Sequence, residues 1–187
     1  MEAGSNLTNH FLIAMPALND PHFFHTVTYI CEHTEQGSMG IIINRPIEMK
    51  LSDILQHMEI GISKDISFNQ DIYKGGPVEE DRGFVVHEYT KDWDSTLKIT
   101  DQIAVTTSRD VLEAIAQGEG PKNTFIALGY AGWAEGQLEK EMAQNAWLSC
   151  PADKQILFDL PTEERWKAAA KSIGVDVDLL STTVGHA

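Results

Sequence analysis

At 187 residues the chain has a length typical of one domain, and its 42% hydrophobic and 22% charged content excludes a disordered chain. The 28 acidic residues outnumber the 14 basic ones and give a net charge of −14, which argues against nucleic-acid binding and against docking on anionic membranes. We expect residues 1–187 to form a single domain, with residues 1–6 as a loose N-terminus.

Cysteine content and the first residues indicate the compartment. The two cysteines, Cys31 and Cys150, are too few for the disulfide framework typical of small secreted proteins. The first six residues lack the basic and apolar regions of a signal peptide, and no apolar run approaches the roughly 18–20 residues of a membrane span. We therefore expect a cytoplasmic protein without membrane association.

The first half of the chain is rich in predicted strands. Apolar and β-branched runs predict strands at 11–15, 26–33, 39–44, 71–74, 84–88, 97–99 and 103–106. Turn residues at 35–38 predict a hairpin between the second and third of these strands. One short helix, Ser52–Glu59, is predicted among them, with Ser52 as its N-cap and Gly61 just past its end.

In the second half, predicted strands and helices alternate. A helix capped by Thr107 or Ser108 runs to about Gln117, and the strand Thr124–Leu128 follows it. Further patterns predict a helix from Gln137, a strand at 155–159 and a helix from residue 162. The whole order predicts an α+β fold in which helices pack on the outside of a mixed sheet.

The stretch after Thr124–Leu128 is glycine-rich, and we predict a turn that leads into the next helix. Its glycines are Gly129, Gly132 and Gly136. Strand–glycine–helix turns often bind phosphate, but this spacing matches neither the dinucleotide fingerprint nor the P-loop. No lysine or arginine lies between Lys122 and Lys140. A tight strand-to-helix crossing, with Tyr130 and Trp133 packed over neighbouring strands, is therefore favoured over a phosphate site.

Two other stretches could hold an anion. Gly75 and Gly76 allow close backbone approach, and Arg82 could bind an anion there. We favour the alternative, in which Arg82 pairs with its acidic neighbours. Arg45 follows Asn44 at the end of an apolar strand. Its guanidinium could bind a carboxylate bidentately, or it could close the sheet edge through an acidic neighbour.

The cysteine and histidine patterns favour structural roles. On a strand, Cys31 and His33 would lie on the same side, as a nucleophile and its base require, but no third orienting group is evident. His22 and His25 lie near Asp20 but outside any common metal-binding motif. We therefore favour a buried structural cysteine, and we expect no metal and no other cofactor.

Short motifs along most of the chain together resemble the AlgH/YqgE family of bacterial proteins. They are HFLIAMP (10–16), DP (20–21), CEH (31–33), MGIIINRP (39–46), GGPV (75–78), RGF (82–84), ALGYAGW (127–133), GQLE (136–139), NAWL (145–148), PAD (151–153), ERW (164–166) and GHA (185–187). The resemblance implies a cytoplasmic protein with one α+β domain and a bulged, strongly curved mixed sheet. The family name reflects a proposed regulatory role in alginate production, and the resemblance implies no catalytic residue, cofactor or reaction.

We therefore expect a non-catalytic regulatory or adaptor protein that acts through a protein partner. Two alternatives remain open: a small-molecule binder or enzyme of undescribed type, and a DNA-binding transcriptional regulator, which the charge of −14 disfavours. A small-molecule site would combine the Arg45 region with the glycine stretches. Its candidate residues are Asn44, Arg45, Gly75, Gly76, Arg82, Gly129, Gly132 and Trp133.

Overall fold

A computed structural model describes residues 6–16, 18, 20–63 and 69–179, which form a curled sheet with helices packed on it. The strands are β1 (His10–Ala14), β2 (Val27–Thr34), β3 (Gly37–Ile42), β4 (Pro46–Lys50), β5 (Asp71–Lys74), β6 (Val78–Glu88), β7 (Thr96–Lys98), β8 (Ile103–Thr106), β9 (Thr124–Ala134) and β10 (Trp147–Pro151). The α-helices are α1 (Leu51–His57), α2 (Arg109–Ala116), α3 (Gln137–Ala143) and α4 (Arg165–Lys171). Of the predicted loose N-terminus, only residue 6 belongs to the described residues. The GHA motif at 185–187 also lies outside them.

Strand β9 lies at the centre of the sheet. The strand order is β10-β1-β2-β3-β9-β6-β8-β7, and β5 joins β9 while pairing with β4. The β5–β9 pair is parallel and the other pairs are antiparallel, so the sheet is mixed. The predicted α+β fold with a curved mixed sheet is confirmed, and so is the hairpin between β2 and β3.

Both faces of the sheet are apolar, which explains why helices cover both. On one face, side chains such as Phe125 pack with α4 and a π-helical turn, Gln155–Asp159. On the opposite face, Ile126 packs with α1 and α2. Further along β9, Trp133 packs on that opposite face in a cluster that includes Leu138 of α3. Strand β9 therefore contributes side chains to all three clusters, because they alternate between the faces and the left-handed backbone at Gly129 shifts that alternation.

The glycine-rich stretch after Leu128 is not a turn, contrary to our prediction, because β9 continues through it to Ala134. Gly129 interrupts the regular strand with a left-handed backbone, φ +78°. The chain turns only at Gly136, which lies immediately before α3 and has φ +73°. Pairing of residues 131–134 with β3 explains the difference, because these ladder hydrogen bonds override the local turn preference of the glycines.

Three smaller predictions were wrong, and two strands were not predicted. Residues 155–159 form the π-helical turn rather than a strand. In a strand the adjacent side chains of Ile156 and Leu157 would point to opposite faces, whereas both are buried in one cluster. Strands β4 and β10 were missed. Helix α1 begins after Lys50, whose backbone N–H donates to Asp53, so Ser52 is not the N-cap. The left-handed residue beyond α1 is Glu59 rather than Gly61.

Three glycines allow β9 to lie against the segment that joins β5 and β6. A Cβ atom on Gly75 would lie 2.3 Å from the carbonyl oxygen of Gly129, and one on Gly76 would lie 2.1 Å from the carbonyl carbon of Tyr130. Distances below about 3 Å do not occur between real Cβ atoms and backbone. The two chains therefore meet backbone to backbone, at a separation that only glycine permits.

Substituting Gly76→Ala should lower the free energy of unfolding by about 3 kcal/mol, because the new methyl group overlaps backbone atoms of Tyr130 and Ala131 in β9. Gly83→Ala is the matched control, since its Cβ would meet nothing within 4 Å and its effect should stay within about 1 kcal/mol. Urea unfolding followed by tryptophan fluorescence measures both. Equal stability of the two variants would contradict the crossing.

Candidate functional site

A broad groove of about 950 Å³ runs over the sheet face that α4 covers elsewhere. Six strands contribute to it: β2, β3, β6, β7, β8 and β9. Its lining residues are Glu32, Thr34, Gln36, Gly37, Ser38, Met39, Val78, Arg82, Phe84, Ser95, Thr96, Leu97, Val105, Thr107, Tyr130, Gly132 and Trp133. We call this surface the groove.

The groove has an apolar base and polar margins. Phe84 and Val105 belong to the buried cluster of this face, and the Tyr130 ring packs edge-on against Phe84 at 5.7 Å between centroids. Leu97 is 44% exposed. Glu32 is exposed and forms no ion pair among the described residues. Such a surface offers apolar contacts together with hydrogen-bonding groups and one free negative charge.

Arg82 reaches the groove because β6 bulges out of register between Val78 and Gly83. Its guanidinium lies 3.2 Å from a carboxylate oxygen of Glu79 and 5.4 Å from the centroid of the Phe84 ring. The positive charge of Arg82 is thus offset by its own neighbour, which is the pairing that the sequence favoured.

Asn44 and Arg45 lie elsewhere and hold the loop at residues 22–25. The Asn44 side chain accepts from the backbone N–H of Val27 and donates to the carbonyl of His25, both at 2.9 Å. Arg45 donates to the carbonyl oxygens of His22 and Phe24. These bonds use the Arg45 side chain to fix a loop.

The eight candidate residues therefore divide into three groups instead of forming one site. Asn44 and Arg45 bind the loop, and Gly75, Gly76 and Gly129 form the backbone crossing. The remaining three candidates, Arg82, Gly132 and Trp133, line the groove. The Trp133 ring packs against Phe23 and Trp147, each at 6.0 Å between ring centroids.

Cys31 and His33 do not share a side of β2, contrary to the period-two expectation. A register shift between Ile30 and Glu32 marks a bulge. Cys31 is buried in the cluster beneath α4 and Glu32 lines the groove on that face, whereas His33 bonds to Glu139 on α3. Burial raises the pKa of the Cys31 thiol, which disfavours the nucleophilic thiolate. Cys31 is thus a buried structural cysteine.

His33 forms a pair with Glu139 that sequence reasoning missed. Its Nε2 lies 2.6 Å from a carboxylate oxygen of Glu139, and its Nδ1 accepts the backbone N–H of Leu7 at 2.9 Å. The ring proton must therefore lie on Nε2 and be donated to the carboxylate. The pair links β2 to α3 across 106 residues, and no local spacing could have indicated it.

A second histidine, His87, is buried beside Thr106. Its Nδ1–H donates to the carbonyl of Glu88 at 2.8 Å, which leaves Nε2 to accept the Thr106 hydroxyl at 2.7 Å. Burial lowers the pKa of His87 and keeps the ring neutral. A hydroxyl bonded to an oriented histidine has the arrangement of an activated nucleophile. Both residues are 0% exposed, so a substrate cannot reach them. Their hydrogen bond instead links β6 to β8.

Comparison with known proteins defines the family. The profile of the AlgH-like family (DUF179) matches residues 11–178. The chain belongs to this family. A UPF0301 protein of Thioalkalivibrio sulfidiphilus is 56% identical over 187 residues, covering 100% of both chains, and one of Azoarcus sp. is 54% identical over 188 residues, also covering 100% of both.

Solved structures show the same AlgH-like fold. The solution structure of the AlgH protein from Pseudomonas aeruginosa is 50% identical, has a TM-score of 0.80, and is matched over 100% of this chain and 99% of that one. The crystal structure of protein DIP2367 from Corynebacterium diphtheriae has a TM-score of 0.76 with coverage of 97% and 94%. At 19% identity, that second similarity concerns the fold alone.

The described residues of this AlgH-like chain contain no group of three or more His, Cys, Asp or Glu side chains arranged to hold a metal ion. Within the same part of the chain, no helix is both long enough and apolar enough to cross a membrane.

The His33–Glu139 pair makes part of the stability depend on pH. The hydrogen bond from His33 lowers the pKa of Glu139 below its ordinary value. A carboxylate whose pKa is lower in the folded state stabilises the fold above its unfolded pKa of about 4.3, and this contribution is lost as pH falls through the folded pKa. Glu139→Gln should therefore destabilise the protein at neutral pH, and the difference from wild type should shrink below about pH 4.

Urea midpoints measured from pH 7 to about pH 3 test this dependence. Glu119→Gln is the control, because Glu119 is exposed and forms no ion pair within the described part of the chain. If the stability difference between Glu139→Gln and wild type stays constant with pH, the charge of Glu139 contributes nothing to the stability of the fold.

Proposed function

We propose that this AlgH-like protein is a non-catalytic regulatory or adaptor protein of the cytoplasm, and that its groove holds an extended segment of a protein partner. The observation that supports this most is the groove itself, a volume of about 950 Å³ spread over six strands. Small-molecule pockets range from about 300 to 1,000 Å³ and enclose most of their ligand. A wide surface at the upper end of this range suits a peptide segment better.

The position of the groove also favours an extended segment. Strand β7 (Thr96–Lys98) ends the sheet, so one of its edges has no strand partner in the described structure. Extended peptides commonly add to such an edge through main-chain hydrogen bonds, while pockets beside it select their side chains. Leu97 and Tyr130 offer apolar contacts for those side chains.

Charge indicates the composition of the partner segment. Glu32 lines the groove without an ion-pair partner in the described region, whereas the charge of Arg82 is offset by Glu79 and that of Glu80 by Lys74. The free charge of the groove is therefore negative, in a chain with a net charge of −14. Complementary charge favours a segment with lysine or arginine beside apolar anchors.

The chemistry of the buried residues supports a non-catalytic role. Cys31 and the His87–Thr106 pair carry the groups that nucleophilic catalysis uses, and all three residues are at most 2% exposed. Cys31 and Cys150 are both unpaired thiols, as is usual in a reducing compartment, which supports the cytoplasmic assignment.

A photo-crosslinking amino acid at position 97 tests the proposal in living cells. Leu97 is 44% exposed and lines the groove, so the substitution should leave the fold intact and crosslink a defined partner. Ile62 is 48% exposed and lies outside the groove, so the same amino acid there is the matched control. Mass spectrometry of the crosslinked peptide should identify an extended basic segment.

A synthetic peptide of that segment then provides the quantitative test. Glu32→Lys should weaken its binding, and the loss should be greatest at low salt because exposed charges are screened. A position-97 crosslinker that captures no partner, or the same set of proteins as position 62, would refute the assignment of the groove.

A further inference from the structure

A second, smaller cavity of about 220 Å³ lies between β5, β9 and the π-helical turn. It shares no lining residue with the groove. Its walls are mixed: Tyr73, Phe125, Leu157 and Phe158 are aromatic or aliphatic, whereas Gln70, Asn123, Thr124 and Arg165 are polar. Arg165 is only 4% exposed, so a full positive charge is buried at this cavity.

All the interactions described for the Arg165 guanidinium are with neutral groups. Its Nε–H donates to the carbonyl of Leu160 at 3.1 Å, and Nη1 donates to the carbonyl of Ile43. The rings of Tyr73 and Phe125 lie 5.4 and 5.5 Å from its central carbon. Among the described residues no carboxylate forms an ion pair with it.

A buried charge without a counter-charge is costly, and carbonyl dipoles and aromatic faces offset only part of that cost. Burial accordingly lowers the pKa of Arg165, although arginine remains protonated at any pH at which the protein is folded. Its five N–H donors serve the carbonyls of Leu160 and Ile43 and a side-chain hydrogen bond with Tyr73. The guanidinium therefore retains capacity for a further acceptor.

The mouth of the cavity carries a second cation. Lys122 lines it, is exposed, and has no ion-pair partner in the described residues. Asp71, the acidic residue of the lining, is paired with Lys50. The balance of charge at this cavity is thus positive, in contrast to the chain as a whole.

We propose that this cavity binds a small organic carboxylate, with Arg165 and Lys122 as its counter-charges. The planar fork of a guanidinium matches a carboxylate bidentately. Phe158, which is only partly buried, offers apolar contact to a short hydrocarbon body, which inorganic phosphate lacks. The volume of about 220 Å³ lies below the usual 300–1,000 Å³ of drug-sized ligands and therefore selects a compact molecule.

Titration of the ¹⁵N-labelled full-length protein with butyrate, benzoate and inorganic phosphate, at constant ionic strength set with sodium chloride, tests the site. The carboxylates should produce saturable shifts at the Arg165 Nε–H and at the amides of Asn123 and Thr124, which line the cavity. Phosphate should bind more weakly, because it gains nothing from the apolar part of the walls. Binding in which phosphate is preferred would overturn the choice of a carboxylate.

Two lysine variants separate a site from general charge effects. Lys122→Gln should weaken carboxylate binding about two- to fivefold, the range for an exposed charge pair. Lys98→Gln is the control, since Lys98 is also a surface cation, lies outside the cavity and pairs with Asp101. Arg165→Gln should abolish binding. If the Arg165→Gln variant does not fold, the comparison of Lys122→Gln with Lys98→Gln still tests the site. Shifts that fail to saturate, or equal affinities for the two lysine variants, would refute the site.

Discussion

The architecture depends on one close backbone contact, where Gly75 and Gly76 meet β9 at Gly129 and Tyr130. The contact lets β5 pair with the first half of β9 while β3 pairs with the second half. Any side chain at Gly75 or Gly76 would force these chains apart. Because β9 joins the strands on both sides of it, separation there would divide the sheet that carries the groove.

Irregularities in three strands decide which side chains enter the groove. The left-handed Gly129 changes the phase of β9, so that Tyr130 and Gly132 line the groove while Trp133 joins the opposite cluster with its ring. The bulge in β2 directs Glu32 to the groove, and the bulge in β6 brings Arg82 to it. Without these irregularities several of these side chains would point to the opposite face of the sheet, because a shift of one residue along a strand exchanges its two faces. The lining of the groove in this AlgH-like chain thus depends on departures from strand regularity.

Local sequence patterns predicted the α+β class, the β2–β3 hairpin and most of the strands, because these features depend on periodicity and turn residues. The patterns failed where distant pairing decides the outcome. Residues 129–134 have turn propensity but are held in β9 by β3, and Cys31 and His33 were misplaced by a bulge that β3 defines. The groove combines six strands, so no single stretch of sequence could indicate it. Arg165 escaped attention because its burial depends on Ile43, which lies 122 residues away.

Burial should make the two proposed sites respond differently to salt. The charges at the groove, such as Glu32, are exposed, and salt of about 0.15 M screens such charges beyond about 8 Å. Arg165 is 4% exposed, and in its low-dielectric surroundings a direct contact with an anion is screened much less. The net charge of −14 repels anions from a distance and should slow their entry at low salt without altering that contact. Ionic strength should therefore weaken binding of a basic segment in the groove more than binding of a carboxylate beside Arg165.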